Sequence, residues 1–172
     1  MKKFEFTGET KINIFGVKLF RIRCTVAFGD VNVGDVGGWI EKEDNLCGDA
    51  WVYNNACVYG NACVYGNTCV YGNARVYNNA QVYGDACVYG NARVCGNAQV
   101  YGNAGYCCFQ CFGSANRTTT VFRTGAGIRV SCGCFFGTLD EFTQAVEKTH
   151  GDNKYGKAYK AMIELIKIRF SE

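Results

Sequence analysis

The sequence predicts a mainly β protein built on a short parallel β-solenoid, with a β cap before it and a β-hairpin plus two helices after it. Three observations predict that class. A six-residue unit repeats without a gap from Trp51 to Ala104; glycine or asparagine recurs at one slot of the unit, in a chain with 22 Gly and no Pro; and the period stops at both ends, giving way to alternation on one side and helical spacing on the other. The 172 residues amount to about one domain with attached caps. They divide into an N-terminal cap over 1–38, the repeat over 39–116 and a C-terminal unit over 117–172.

The cap comes first. Apolar and polar residues alternate from Lys11 to Arg23, which predicts a hairpin turning near Gly16 and covering the first coil. Gly37-Gly-Trp-Ile-Glu41 then leads into the repeat, and Ile40 already fits its aliphatic slot.

The repeat reads WVYNNA, CVYGNA, CVYGNT, CVYGNA, RVYNNA, QVYGDA, CVYGNA, RVCGNA, QVYGNA, with Asn45 to Ala50 as a weaker tenth hexad in front. A unit of six residues cannot bury a face alone, so it must stack on its neighbours. The second slot is Leu46 and then Val at every hexad from Val52 to Val100, and the sixth is Ala except at Thr68. Sixth and next second slots lie two residues apart on extended chain, so both point inward. The fourth slot is Gly, or Asn at Asn54 and Asn78, residues that tolerate a left-handed backbone, and it marks a corner.

An aliphatic residue followed four positions later by a small one, every six residues, resembles the hexapeptide-repeat left-handed parallel β-helix. The resemblance implies three hexads per triangular coil, hence about 3.3 coils here. With 18 residues per coil, Tyr53, Tyr71 and Tyr89 stack on one face, Tyr59 and Tyr77 on a second, and Tyr65, Tyr83 and Tyr101 on the third. All three rows are expected to face outward. Stacked tyrosines either stabilise in-register strands or offer a docking or self-association surface, and both roles can hold together.

Beyond Ala104 the period breaks. Thr118 to Thr124 and Ile128 to Cys132 flank Gly125-Ala-Gly127, the pattern of a β-hairpin. Thr138-Leu-Asp-Glu141 is a capping box, so a helix starts there and runs to about His150, ended by Gly151. A second helix over 153–170 carries Tyr155, Tyr159, Met162, Ile163, Ile166 and Phe170 at helical spacing and packs on the hairpin. The pairing of Gly37-Gly-Trp-Ile-Glu41 before the hexads with Cys132-Gly-Cys-Phe-Phe-Gly-Thr-Leu-Asp-Glu-Phe142 after them resembles a group of YdcK-like proteins of phages and prophages. That resemblance spans nearly the whole chain and implies an architecture, not an activity.

Candidate chemistry is sparse. The resemblance implies that hexapeptide acyltransferases use a histidine base between subunits, but the one histidine, His150, lies outside the coils, near a helix C-terminus that favours a cation. A three-histidine zinc site is excluded by the same count. Cys107-Cys108-x-x-Cys111 and Cys132-x-Cys134 read as buried thiols, with Cys108, Cys111, Cys132 and Cys134 kept as weak metal candidates; Cys57, Cys63, Cys69 and Cys87 share a slot with Arg and Gln and read as surface substitutions. No catalytic residue, metal or cofactor is expected.

The net charge of +3 comes wholly from residues 117–172, where Lys154, Lys157 and Lys160 form part of a basic helix face. Direct nucleic-acid binding stays open on that basis. Asp49 and Asp85, the only acids of the ten hexads, are too few for DNA mimicry, and no threonine array marks an ice-binding face. The basic start lacks an apolar segment behind it, so a cytoplasmic protein without a membrane partner is expected. The expected function is a non-catalytic interaction module, phage-encoded, antagonising a host system (anti-defence or anti-CRISPR) by binding a host protein or a nucleic-acid-bearing complex. A self-assembling homo-oligomeric solenoid is the alternative, and a hexapeptide acyltransferase the less favoured one.

Overall fold

The computed structural model describes residues 2–171, which form two compact units meeting at Gly105 and Tyr106. The first unit begins with an antiparallel hairpin, β1 (Phe4–Ile12) and β2 (Lys18–Cys24), whose turn is closed by Asn13 Oδ1 accepting from the Phe15 and Val17 amides. β3 (Val36–Ile40) runs antiparallel to β2 and parallel to the first solenoid strand on its face. Nine short strands follow: β4 (Trp51–Val52), β5 (Cys57–Val58), β6 (Cys63–Val64), β7 (Cys69–Val70), β8 (Arg75–Val76), β9 (Gln81–Tyr83), β10 (Cys87–Val88), β11 (Arg93–Val94) and β12 (Gln99–Tyr101).

Every third strand pairs in parallel register 18 residues on, as Cys57 with Arg75 and Cys69 with Cys87, so three hexads do make one coil. First-slot amides donate to the sixth-slot carbonyl of the next coil (Cys57 N to Ala74 O, 2.9 Å) and third-slot amides to its second-slot carbonyl (Tyr65 N to Val82 O, 3.0 Å). The second-slot valines and the sixth-slot alanines from Ala50 to Ala98 are buried in the interior, whereas Ala104, at the last hexad, is exposed. Thr68, the exception among the alanines, satisfies its hydroxyl by donating to Tyr65 O at 2.8 Å.

The solenoid is one rung longer than the ten hexads counted from sequence. Trp39 and Ile40 pair with Cys57 and Val58, and Leu46 bridges to Val64, which makes eleven aliphatic rungs and close to four coils rather than 3.3. The pair Gly37-Gly38 explains the entry. A Cβ on Gly38 would stand 2.6 Å from Val52 Cγ1 and 2.7 Å from Ala56 O, so only bare backbone lies flat against the first coil. At the corners Gly66 has φ +77°, and a Cβ there would meet Gly84 O at 2.9 Å; Asn54 and Asn78 hold the same left-handed conformation. Amides also stack along one corner, where Asn61 donates to Asn79 and Asn79 to Asn97.

The second unit is a four-stranded antiparallel meander, β13 (Tyr106–Phe112), β14 (Arg117–Thr124), β15 (Gly127–Cys132) and β16 (Phe135–Thr138), followed by α1 (Leu139–His150) and α2 (Lys154–Phe170). Two strands, β13 and β16, flank the expected hairpin. Because β13 pairs with β14 through Tyr106–Phe122 and Cys107–Val121, the unit starts at 106 rather than at the expected 117. The capping box forms in both directions, Glu141 N to Thr138 Oγ1 and Thr138 N to Glu141 Oε2, and Gly151 ends α1 with φ +50°. Val121, Val130, Phe142, Tyr159, Met162, Ile163 and Ile166 form its core. No described helix is long and apolar enough to cross a membrane.

Candidate interaction surface

Each hexad turns its third slot outward, yet the three tyrosine rows meet different surroundings. Tyr65, Tyr83 and Tyr101 form a ladder: Tyr65 and Tyr83 stack at 5.0 Å and 3°, and Tyr101 lies tilted by 45° with its ring 5.3 Å from that of Tyr83. Exposure along it reaches 66 % at Tyr101. Tyr53, Tyr71 and Tyr89 form a looser row, with an edge contact at 6.5 Å and a stack at 5.7 Å, and its last two rings are exposed. Tyr59 and Tyr77 stack at 5.1 Å and 6°, but Val17, Leu19 and Trp39 pack against them and Phe15 lies 6.4 Å from Tyr77. The hairpin turn folds back over that face, so Tyr59 belongs to the core, Tyr77 is half-buried against it, and the expectation of three outward rows is corrected. Cys57, read as a surface thiol, is buried beneath the same cover.

Burial governs the ionisation of these groups. It raises the Tyr53 phenol from its usual 10.0 to about 12, and it pushes Tyr77 and Tyr59 up as well, with Cys95 adding to it at Tyr77. Tyr65 and Tyr71 rise for the same first reason, then through neighbouring phenols and thiols. These five phenols therefore keep their protons at physiological pH.

The other candidates disperse. Among the described residues no three His, Cys, Asp or Glu side chains stand close enough to hold a metal. Cys132 is buried and accepts from Thr119 Oγ1 at 3.2 Å, whereas Cys134 and Cys111 are exposed, and Cys108 pairs in register with Thr120. Burial raises the Cys107 thiol to about 11 and raises Cys108, which disfavours the thiolate that zinc needs. On α2, Lys160 is held by Glu147 Oε2 and Asp152 Oδ1, each at 2.8 Å, while Lys154 lies 4.9 Å over the Tyr155 ring and Lys157 is exposed. The basic face is thus partly compensated. His150 stacks on Tyr159 at 5.6 Å in the last turn of α1.

One cavity went unread in the sequence. A cleft of about 230 Å³ lies between the Phe28–Val31 turn and the first coil, with Asp49, Trp51, Tyr53, Asn67 and Cys69 on its other side. Its one sequence signal is Trp51, which fills a slot that is otherwise Asn, Cys, Arg or Gln.

No curated protein matches the chain. Three overlapping stretches, residues 70–84, 80–96 and 86–102, match the YdcK beta solenoid repeat. They coincide with the coils that carry strands β7 to β12. Over residues 70–102 the chain is thus similar to the YdcK beta solenoid repeat, on coils whose strand pairing is that of a parallel β-solenoid.

Proposed function

We propose that the protein is a non-catalytic interaction module whose solenoid presents the Tyr65–Tyr83–Tyr101 ladder to a protein partner. The observation that supports this reading is the ladder itself: three aromatic rings in contact on a hydrogen-bonded backbone, the outer two exposed and Tyr83 half-buried between them. Such rings offer apolar area with a polar edge, and a pre-ordered surface loses little entropy on docking. The lone histidine sits in the C-terminal unit, in a ring stack rather than beside a nucleophile, which favours binding over catalysis.

The finer form of the reading is an antagonist of a bacterial host system, of phage type and acting in the cytoplasm, that occupies the surface of a host protein or of a nucleic-acid-bearing defence complex. The resemblance at Gly37 to Glu41 and Cys132 to Phe142 motivates it. The test combines sedimentation of the purified protein with a plasmid-interference assay against several defence systems. Expected are a monomer and a loss of interference that Tyr65→Ala with Tyr83→Ala abolishes while the thermal melt stays cooperative. A concentration-dependent oligomer dissolved by the same pair would transfer the ladder to self-assembly. Lys157→Glu with Lys160→Glu should leave the effect in place.

A further inference from the structure

The cleft between the Phe28–Val31 turn and the first coil has a chemistry distinct from the tyrosine ladder. Its turn is clamped by reciprocal backbone bonds, Phe28 N to Val31 O at 3.0 Å and Val31 N to Phe28 O at 2.9 Å. This holds the Phe28 ring edge-on to Trp51 at 5.9 Å, and Trp51 in turn meets Tyr53 edge-on at 6.5 Å. Three rings thus line one cavity, two carboxylates, Asp30 and Asp49, stand at it, and none of its lining residues is basic. The charge of Asp30 reaches inward, where it adds to burial and Cys69 in raising Tyr53.

The chain's own Lys3 shows what such a site favours. Its ammonium lies 4.8 Å over the Phe28 ring and pairs with Asp49, so an amine is already held by one ring and one carboxylate at the rim. Asp49 is thereby engaged, whereas Asp30 has no ion-pair partner among the described residues. Rings with an unneutralised carboxylate attract an organic cation through both charge and quadrupole. A divalent metal does not fit, since no three metal-ligating side chains converge among the described residues.

We propose that this cleft binds an alkylammonium group, the side chain of a lysine on a partner protein, between Phe28, Trp51 and Tyr53 with Asp30 as its counter-charge. The site stands whether or not the Tyr65–Tyr83–Tyr101 ladder docks a protein, since none of those residues lines it.

The experiment is a titration of the isotope-labelled full chain with Nα-acetyl-lysine methylamide, following the Trp51 indole resonance. A saturable shift is expected, weakened about ten-fold or more by the neutral norleucine analogue, by Asp30→Asn and by added salt. Asp30 is exposed on a turn, so the Asn variant should melt with the wild type, which a circular dichroism scan checks. Binding of the norleucine analogue as tight as the lysine, or an unchanged titration in Asp30→Asn, overturns the proposal, as does a shift that never saturates. Cadaverine distinguishes a free diamine from a peptide-borne lysine: binding ten-fold tighter than the methylamide would overturn the partner-lysine assignment. Because every probe is a small molecule, failure here leaves the interference assay of the ladder unaffected.

Discussion

Tyr59 and Tyr65 stand six residues apart in nearly identical hexads, yet Tyr59 is 5 % exposed and Tyr65 36 %. Nothing within CVYGNA and CVYGNT separates them. The difference is made by Val17 and Leu19 of the hairpin and Trp39 of the entry rung, which pack over that one face of the coil. Hexad periodicity determines which way a side chain points; it carries no information on whether water or protein waits there. The covered face also bears a cost that the open one avoids. Tyr59 Oη and Trp39 Nε1 are buried with no hydrogen-bond partner among the described residues, offset in part by Lys11 at 4.3 Å and Arg21 at 5.1 Å from the Trp39 ring.

The interior common to both faces provides the largest expected effect. Val76 has no solvent contact, and Val76→Asp would place an unpaired carboxylate among valines at a cost of several kcal/mol, on the order of 4. The coil should fail to fold, as loss of the β signal in circular dichroism would report; a cooperative melt near the wild type would refute the inside assignment. Next in size, Tyr59→Ala should cost about 3 kcal/mol by opening a cavity under the hairpin, and Tyr65→Ala less than about 1 kcal/mol. Equal losses in denaturant melts would mean that the hairpin does not cover one face selectively. Tyr59→Phe sharpens the contrast, because it removes the orphan hydroxyl without a cavity and should be neutral or stabilising.

Much of this architecture is legible in the residues. Val at the second slot and Ala at the sixth report the interior because a narrow prism admits little else, and the capping box of Thr138 and Glu141 reports the start of α1 because its hydrogen bonds are local. The added rung at Ile40 is partly legible, since Ile40 fits the slot while Gly37 and Gly38 do not resemble a hexad. Long-range matters are not. The strand Tyr106–Phe112 shows mixed aromatic and cysteine residues without alternation, and only its pairing with β14 makes it a strand. The tyrosine rows are legible as rows; their burial depends on a turn some forty residues earlier. The cleft at Phe28 draws its lining from a turn and two coils, so no local motif could announce it.

The smallest expected effect separates the faces by charge instead of size. A buried phenol whose folded pKa exceeds its ordinary value keeps its proton after the unfolded chain has lost its own. Above the unfolded value the folded state then binds more protons, so stability falls as pH rises, while well below it the contribution is fully present. Thiols enter first: burial raises Cys57 from 9.0 and Cys107 to about 11, so the decline should begin near pH 9. Phenols follow above about pH 10, where burial has moved Tyr53 to about 12 and Tyr59 and Tyr77 upward as well. The melting temperature should therefore be level up to about pH 8 and slope downward in the alkaline range, more steeply beyond about pH 10. Replacing the covered row by Tyr59→Phe with Tyr77→Phe should flatten only the portion above about pH 10 and leave the thiol portion unchanged. If the double variant declines along the wild-type curve, the covered phenols do not hold their protons through folding, and the hairpin shields that face less completely than its packing indicates.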